Sequence, residues 1–476
     1  MSIFVGRKRE LSILQGLRDK AVASLVVIKG RRRIGKSTLI QHFGENLKTY
    51  IFTGIPPTPK TTIESEQEEF TRQMSRLFKL PTIKFEDWGD IFWFLGDKVK
   101  KGKIILVFDE ISWIGSKDPD FLGKLKTVWD MIFKKNDELV LILCGSVSAW
   151  IEKNILRSTG FVGRISSTIS LNELSLKESN LFWRDKNKNI SAYEKFKILA
   201  ITGGIPRYLE EIRPSLSAEN NIKDMCFSPE GFLFNEFDQI FSDIFMTRSE
   251  MYKKIILLLV DRSLTASDIC KYLGIILNRV ISDYLDELVE AGFIARDYSW
   301  HIADKKTAKL SYFRLKDNYI RFYLKYILPH RDKIKSGAYQ YKNISLLSGF
   351  ATIMGFQFEN LVLNNRQKIW ELLRISPDEI VWDNPFFQTK RVDRKACQID
   401  YLIQTKFGCL YVCEIKFSAQ EIKKDVISEV QEKIQKLKKP KGISCRPVLI
   451  HVNGVHENVL DEDYFSNIID FESLLH

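Results

Sequence analysis

Leu25-Val26-Val27-Ile28-Lys29-Gly30-Arg31-Arg32-Arg33-Ile34-Gly35-Lys36-Ser37-Thr38 decides how the amino-terminal half of the chain is read. The apolar run 25–28 reads as a strand buried on both faces, and a helix begins near Lys36. Between them stands GxxxxGK[ST], in the strand-then-helix context in which that pattern cradles phosphate. Gly30 and Gly35 let successive N–H groups turn inward. The helix start offers its positive end. Lys36 is a point charge for the β- and γ-phosphates, and the Ser37 hydroxyl is placed to ligate magnesium. Thr38 adds a hydroxyl toward the α-phosphate, and Arg33 of the loop joins the nucleotide-binding set.

A second half of such a site follows. Residues 104–108 are another wholly apolar strand, ending in Asp109-Glu110. Asp109 is placed to hold the magnesium shell and Glu110 to polarise an attacking water. A third strand, 139–144, ends in Gly145-Ser146. Ser146 either sits between the two acids and senses the γ-phosphate, or caps a helix before Ala149-Trp150.

The 476 residues are 45% hydrophobic and 28% charged, which describes a globular chain too long for one core and suits about three domains. No apolar run reaches the length of a membrane span, and residues 1–7 lack a signal-peptide core. We therefore expect a cytoplasmic protein with no membrane partner. Cys144, Cys226, Cys270, Cys397, Cys409, Cys413 and Cys445 form no CxxC pair and read as reduced thiols. The net charge of +12 favours a polyanionic partner, nucleic acid first. Part of the excess is local: residues 301–342 hold eight lysines, three arginines and three aspartates. Tyr312, Phe313, Tyr319, Phe322, Tyr323 and Tyr326 are interleaved with them. Such a strip is either an amphipathic helix with a solvated basic face or a surface for nucleic acid.

Apolar runs at 25–28, 50–53, 104–108, 139–144 and 165–171 alternate with helical stretches. That alternation predicts a parallel α/β sheet over 1–174, with a mostly helical lid at 175–244. Residues 245–315 read as helices at 252–260, 266–273 and 278–291 and short strands at 292–296 and 312–314, a winged helix. Its third helix carries Asn278, Arg279 and Ser282 but also Asp283, Asp286, Glu287 and Glu290, which suits packing better than reading DNA. Lys271, Lys305, Lys306, Lys309 and Arg314 remain as phosphate contacts. After a connector at 316–345, residues 346–476 read as a second α/β unit. It has a helix at 355–373 and strands at 379–382, 397–403, 410–416 and 447–452. A charged helix at 420–437 follows Ser418 as its N-cap.

Six motifs occur in order: Phe4-Val5-Gly6-Arg7, the glycine loop, Phe108-Asp109-Glu110-Ile111-Ser112-Trp113, Cys144-Gly145-Ser146, Gly163-Arg164, and Gly203-Gly204-Ile205-Pro206-Arg207-Tyr208. The series resembles the prokaryotic "archaeal ATPase" group of P-loop NTPases, related to the AAA+ and STAND ATPases, over residues 1–240. The resemblance implies ATP and Mg²⁺ as cofactors. It places Gly6 and Arg7 near the base, and Pro206 and Arg207 in a lid that senses nucleotide. It makes Arg164 a γ-phosphate sensor or an arginine finger, acting across subunits if the chain forms a homo-oligomer. The plainer reading of Arg164 is a surface arginine capping a loop.

The other candidate site lies in Cys397-Gln398-Ile399-Asp400 and Glu414-Ile415-Lys416. A hairpin turning at 406–408 pairs positions whose numbers sum to about 814, so Asp400 faces Glu414, and Lys416 shares its face. Opposed carboxylates repel unless a cation lies between them, and a divalent metal meets that need. A lysine beside it positions or deprotonates water. The plain alternative is a salt-bridged surface hairpin. The D-x13-E-x-K spacing resembles the PD-(D/E)xK nuclease superfamily, with Glu359 matching the acid supplied by the first helix. The whole unit at 350–476 resembles the DUF234 domain that follows these ATPases. The resemblance implies that Glu359, Asp400 and Glu414 hold a second Mg²⁺ or Mn²⁺ and that Lys416 is catalytic. Gln398-Ile399, and not a proline, precedes the aspartate. Lys423, Lys424, Lys433, Lys436, Lys438 and Lys439 form a basic helix end, tracking a phosphate backbone or simply solvated.

The expected chain is α/β: a P-loop NTPase parallel sheet with helical lid, then a winged helix, then a small restriction-endonuclease-like domain. Lys36 and Glu110 would hydrolyse ATP. The nucleotide state would control a nuclease-like domain acting on DNA before RNA. The alternative is an ATP-driven switch whose last domain only binds DNA or a partner protein.

Overall fold

In the computed structural model, residues 4–58, 60–115, 117–146, 148–245, 249–339, 343–392 and 394–476 are described. The five amino-terminal apolar runs are strands: β1 (Ser24–Lys29), β2 (Lys48–Thr53), β3 (Ile104–Asp109), β4 (Leu139–Gly145) and β5 (Ile165–Ser170). All pair in parallel, in the order β2-β3-β4-β1-β5. Successive side chains point to opposite faces, so each strand feeds two cores. Leu25, Val27, Leu106, Phe108, Leu141 and Leu143 pack on one face with Phe70, Trp88, Phe92 and Phe121. Val26, Ile28, Ile105, Val107, Val140 and Ile142 pack on the other, against α1 (Lys8–Arg18) and α2 (Lys36–Phe43). Cover on both faces is why these strands read as unbroken apolar runs. The order sets the carboxyl ends of β3, β4 and β1 side by side, where open α/β sheets bind ligands.

The chain divides into two compact units, residues 1–172 with 240–246, and residues 173–239 with 247–476. The second begins with helices that include Ala192–Thr202 and Ala218–Cys226. Three more follow, Ser249–Leu258, Ala266–Leu273 and Arg279–Glu290. Thr265 caps the middle one, accepting from Asp268 N, and Asn278 caps the last, accepting from Ile281 N. A hairpin of β6 (Ile294–Trp300) and β7 (Thr307–Leu315) completes the three-helix-plus-wing pattern. The strands are longer than expected because inward positions interrupt the apolar pattern with polar groups. Arg314 is one of them. Its Nε donates to Asp297 Oδ2 at 2.9 Å, its Nη1 donates to Asn360 Oδ1, and it is 7% exposed. Arg314 is therefore an internal strut, which corrects its expected role as a nucleic-acid contact. Lys271, Lys305, Lys306 and Lys309 do stay exposed.

The basic, aromatic strip resolves the same way. Tyr319, Phe322, Tyr323 and Tyr326 are at most 3% exposed, and Arg321 is buried among them. Phe313 is buried as well, whereas Tyr312 stays partly exposed.

The carboxyl-terminal part is a separate small mixed sheet in the order β12-β11-β10-β9-β8. The strands are β8 (Ile380–Gln388), β9 (Cys397–Thr405), β10 (Cys409–Phe417), β11 (Ser444–Val452) and β12 (Asn467–Asp470). β9 and β10 are antiparallel, with Leu410 opposite Gln404 and Cys413 opposite Tyr401, the expected register. β10, β11 and β12 run parallel, and the helix Asp425–Lys436 makes the crossover. Three local expectations change. The helix expected at 355–373 starts earlier and breaks at Asn365, giving Phe350–Asn364 and Arg366–Leu372. Ser418 does not cap the charged helix; it accepts from Gln420 N in a turn before it. The short edge strand β12 was not foreseen. Among the described residues no helix is long and apolar enough to cross a membrane.

Removing one partner of a buried ion pair strands the other charge. Arg314→Ala should therefore lower unfolding free energy by about 3–5 kcal/mol in chemical denaturation. Lys309→Ala, at an exposed site, should change it by less than about 0.5 kcal/mol.

Candidate functional site

The glycine loop closes on its own lysine. Lys36 Nζ donates to Gly30 O at 2.9 Å and to Arg31 O at 3.1 Å, and the residue is 6% exposed. Gly30 is required by a close approach: a Cβ there would meet Leu171 O at 2.6 Å. Gly35 starts α2 with φ +89°, left-handed backbone that favours glycine. Arg7 is buried, and its Nη2 donates to Ile34 O at 3.0 Å and Asn172 O at 2.7 Å. It thus pins the start of α1 to the loop, directly after Gly6.

At the ends of β3 and β4 the acids are arranged. Ser37 Oγ donates to Asp109 Oδ2 at 3.1 Å, bringing a hydroxyl and a carboxylate to one point. Glu110 has left-handed backbone, φ +51°. Ser146 holds it there with both donors: N to Oε2 at 3.1 Å and Oγ to Oε2 at 2.9 Å. Ser146 touches Glu110 and makes no hydrogen bond to Asp109 among the described residues. Hard oxygen donors beside a buried ammonium fit a magnesium-bound triphosphate: Ser37 and Asp109 would hold the metal, Lys36 and the loop the phosphates.

Arg164 lies elsewhere in its hydrogen bonding. Its Nε and Nη2 clamp Asp130, the latter at 2.8 Å, and Lys126 joins them at 3.0 Å. That guanidinium, first, and burial acting against it leave the Asp130 carboxyl well below the usual range. Pro206 opens the helix Pro206–Leu209, and Arg207 pairs with Glu210 and Glu211. Both belong to the second compact unit. Arg33 has φ +69°, and Thr38 follows half-buried in α2.

In the small sheet, Asp400, Glu414 and Lys416 do converge. Asp400 Oδ2 accepts from Ile415 N at 3.0 Å, and Lys416 Nζ lies 3.2 Å from Glu414 Oε1 and 2.6 Å from Glu429 Oε2. The residue that was not singled out is Lys433. Its ammonium bonds Glu414 Oε2 and sits 3.5 Å from Asp400 Oδ1. The cation between the opposed acids is thus a lysine. Burial pulls the Lys433 pKa down, but the two carboxylates outweigh it and hold it near 12. Glu414, 2% exposed, is raised by burial and by Asp400. Glu359 projects from the helix Phe350–Asn364, and burial, then the Asp400 charge, raise it to about 8. Both Glu414 oxygens are taken by ammonium groups, and no group of three or more His, Cys, Asp or Glu among the described residues is spaced for a metal. In this arrangement the cluster does not fit a divalent ion.

The sequence has relatives that bear on the first site. Residues 4–212 match the profile of an ATPase domain found predominantly in Archaea. This segment is similar to that family. An uncharacterized protein of Methanocaldococcus jannaschii is 28% identical over 361 residues, covering 75% of this chain and 76% of the relative. An uncharacterized ATP-binding protein of the same organism is 46% identical over 46 residues, 10% of this chain and 78% of that one. Among solved structures, a Walker-type ATPase of Pyrococcus abyssi aligns with TM-score 0.47 and 18% identity, over 67% of this chain and 96% of that one. The Aeropyrum pernix ORC2 protein, in ADPNP and ADP complexes, aligns with TM-score 0.42 and 14% identity, over 70% and 93%.

At the first site, Ser146→Ala removes the hydroxyl donor to Glu110 and keeps the backbone N–H. It should lower kcat for ATP by about tenfold or more while leaving nucleotide affinity unchanged. In the small sheet, Glu359 is held above its unfolded value of 4.5, so it takes up a proton on folding and costs stability as pH rises toward about 8. Glu359→Gln should match the parent in thermal unfolding near about pH 5 and exceed it near about pH 9.

Proposed function

We propose that this chain hydrolyses ATP in its ATPase domain and binds nucleic acid, DNA before RNA, through its second unit. The observation that carries the first part is the pairing at the strand ends: Ser37 on Asp109, and Ser146 on Glu110. Lys36 leaves its loop carbonyls to donate to the β- and γ-phosphates. Glu110, turned toward the nucleotide, accepts a proton from water as that water attacks the terminal phosphorus and ADP departs. Ser37 and Asp109 would hold Mg²⁺, which would shield the phosphate charge. A sensing role for Arg164, within one chain or across a homo-oligomer, requires it to let go of Asp130.

Support for a nucleic-acid partner is the net charge of +12 and the exposed lysines Lys271, Lys305, Lys306 and Lys309. For the last domain, two lysines bound to Asp400 and Glu414 favour binding or conformational signalling over metal-dependent cleavage. We assign it no cleavage step. The nuclease reading survives only if Lys433 withdraws.

ATP turnover with Mg²⁺ should fall by about 100-fold or more in Glu110→Gln. It should rise when plasmid DNA is added to the parent protein, and the plasmid should stay intact. Turnover that persists in Glu110→Gln contradicts the assignment of the base. Nicking that needs Mn²⁺ and disappears in Asp400→Ala restores the nuclease.

A further inference from the structure

The second unit holds a half-open cavity of about 640 Å³ that ATP hydrolysis does not use and that shares only Glu359 with the acid cluster of the small sheet. Its volume is that of a small-molecule site. Residues on the wing, on the helix Asn318–Phe322, on the helix Phe350–Asn364 and at the facing ends of β8 and β9 line it.

Its most telling wall residue is Arg321. The side chain is 2% exposed, and its guanidinium stacks 5.0 Å from the Phe356 ring. Nη2 donates to Leu315 O at 2.5 Å, but Nε donates to nothing in the protein. No carboxylate forms an ion pair with it among the described residues. A buried cation with no carboxylate in contact is costly, and burial pushes this guanidinium down to about 9. The acids on the cavity wall act on it only through space: the Glu359 charge, then that of Asp261, favours the cation, but Asp261 is engaged by Lys325 at 2.8 Å and neither pairs with Arg321 directly among the described residues. A second cation, Lys390, stands exposed on the same wall. Arg314 lies behind, already committed to Asp297. Opposite in character, Tyr312 and Phe387 stack at 4.1 Å and present a flat apolar surface.

A buried guanidinium with an unpaired Nε–H, an exposed ammonium and an aromatic wall in one cavity suit a phosphate carried on a planar ring. We propose that the cavity binds a nucleoside monophosphate, free or as the phosphorylated terminus of a strand. Arg321 and Lys390 take the phosphate, and the Tyr312–Phe387 wall takes the base. This site lies apart from the ATPase domain and does not depend on metal-dependent cleavage.

The test is calorimetry on the full chain carrying Lys36→Ala, so that the glycine loop contributes no phosphate binding. Deoxyadenosine monophosphate should bind. Lys390→Glu, at an exposed position, should raise Kd by about tenfold, and Arg321→Met should abolish binding. If Arg321→Met fails to fold, Lys390→Glu still decides. A short oligodeoxynucleotide with a terminal phosphate identifies the source. Tighter binding than the mononucleotide, lost on dephosphorylation, marks a strand end; equal or weaker binding marks a free nucleotide. No uptake of either probe overturns the proposal, as does an unchanged Kd in Lys390→Glu.

Discussion

A buried ammonium group held by its own loop is the constraint on which the amino-terminal half depends. Lys36 reaches back to the carbonyls of Gly30 and Arg31, and the loop is held by neighbours on two sides. Leu171, just past β5, comes so close that residue 30 has no room for a Cβ. Arg7, entering α1, pulls Ile34 and Asn172 together. The sheet order makes both contacts available, since β1 lies between β4 and β5. A loop held this way presents its amides without reorganising when charge arrives, which is how fixed dipoles contribute most to phosphoryl transfer.

Two carboxylate pairs in this chain are handled by opposite chemistry. Asp109 and Glu110 are met by hydroxyls and a backbone N–H, neutral donors that orient the acids and leave their charge for a cation. Asp400 and Glu414 are met by ammonium groups that cancel it. In a buried setting that difference decides what each site can accept. Neutral donors leave an electrostatic demand, and a lysine between two acids satisfies it internally.

Much of this was legible from residues alone. The two-face burial of β1, β3 and β4 shows as unbroken apolar runs. The hairpin register that sets Asp400 against Glu414 follows from the turn at 406–408, because pairing in an antiparallel ladder is fixed once the turn is placed. Lys433 could have been found too. Val426, Val430 and Lys433 fall at helical spacing on one stripe, and a lysine there must reach something inside. Counting it with the other basic residues hid that phase. Arg314 and Arg321 were harder. Strand and helix patterns mark an arginine as outward, and only the partners Asp297, Asn360 and Leu315, brought in by tertiary packing, turn them inward. The pairing of Arg164 with Asp130 joins residues 34 positions apart, and no local pattern announces it.

The central claim is that the loop around Lys36 grips a magnesium-bound triphosphate. Titration of a fluorescent ATP analogue into the full chain measures this directly. Saturable uptake that requires Mg²⁺ and is lost in Lys36→Ala is the predicted result. Absence of uptake by the parent chain, or equal uptake by Lys36→Ala, contradicts it.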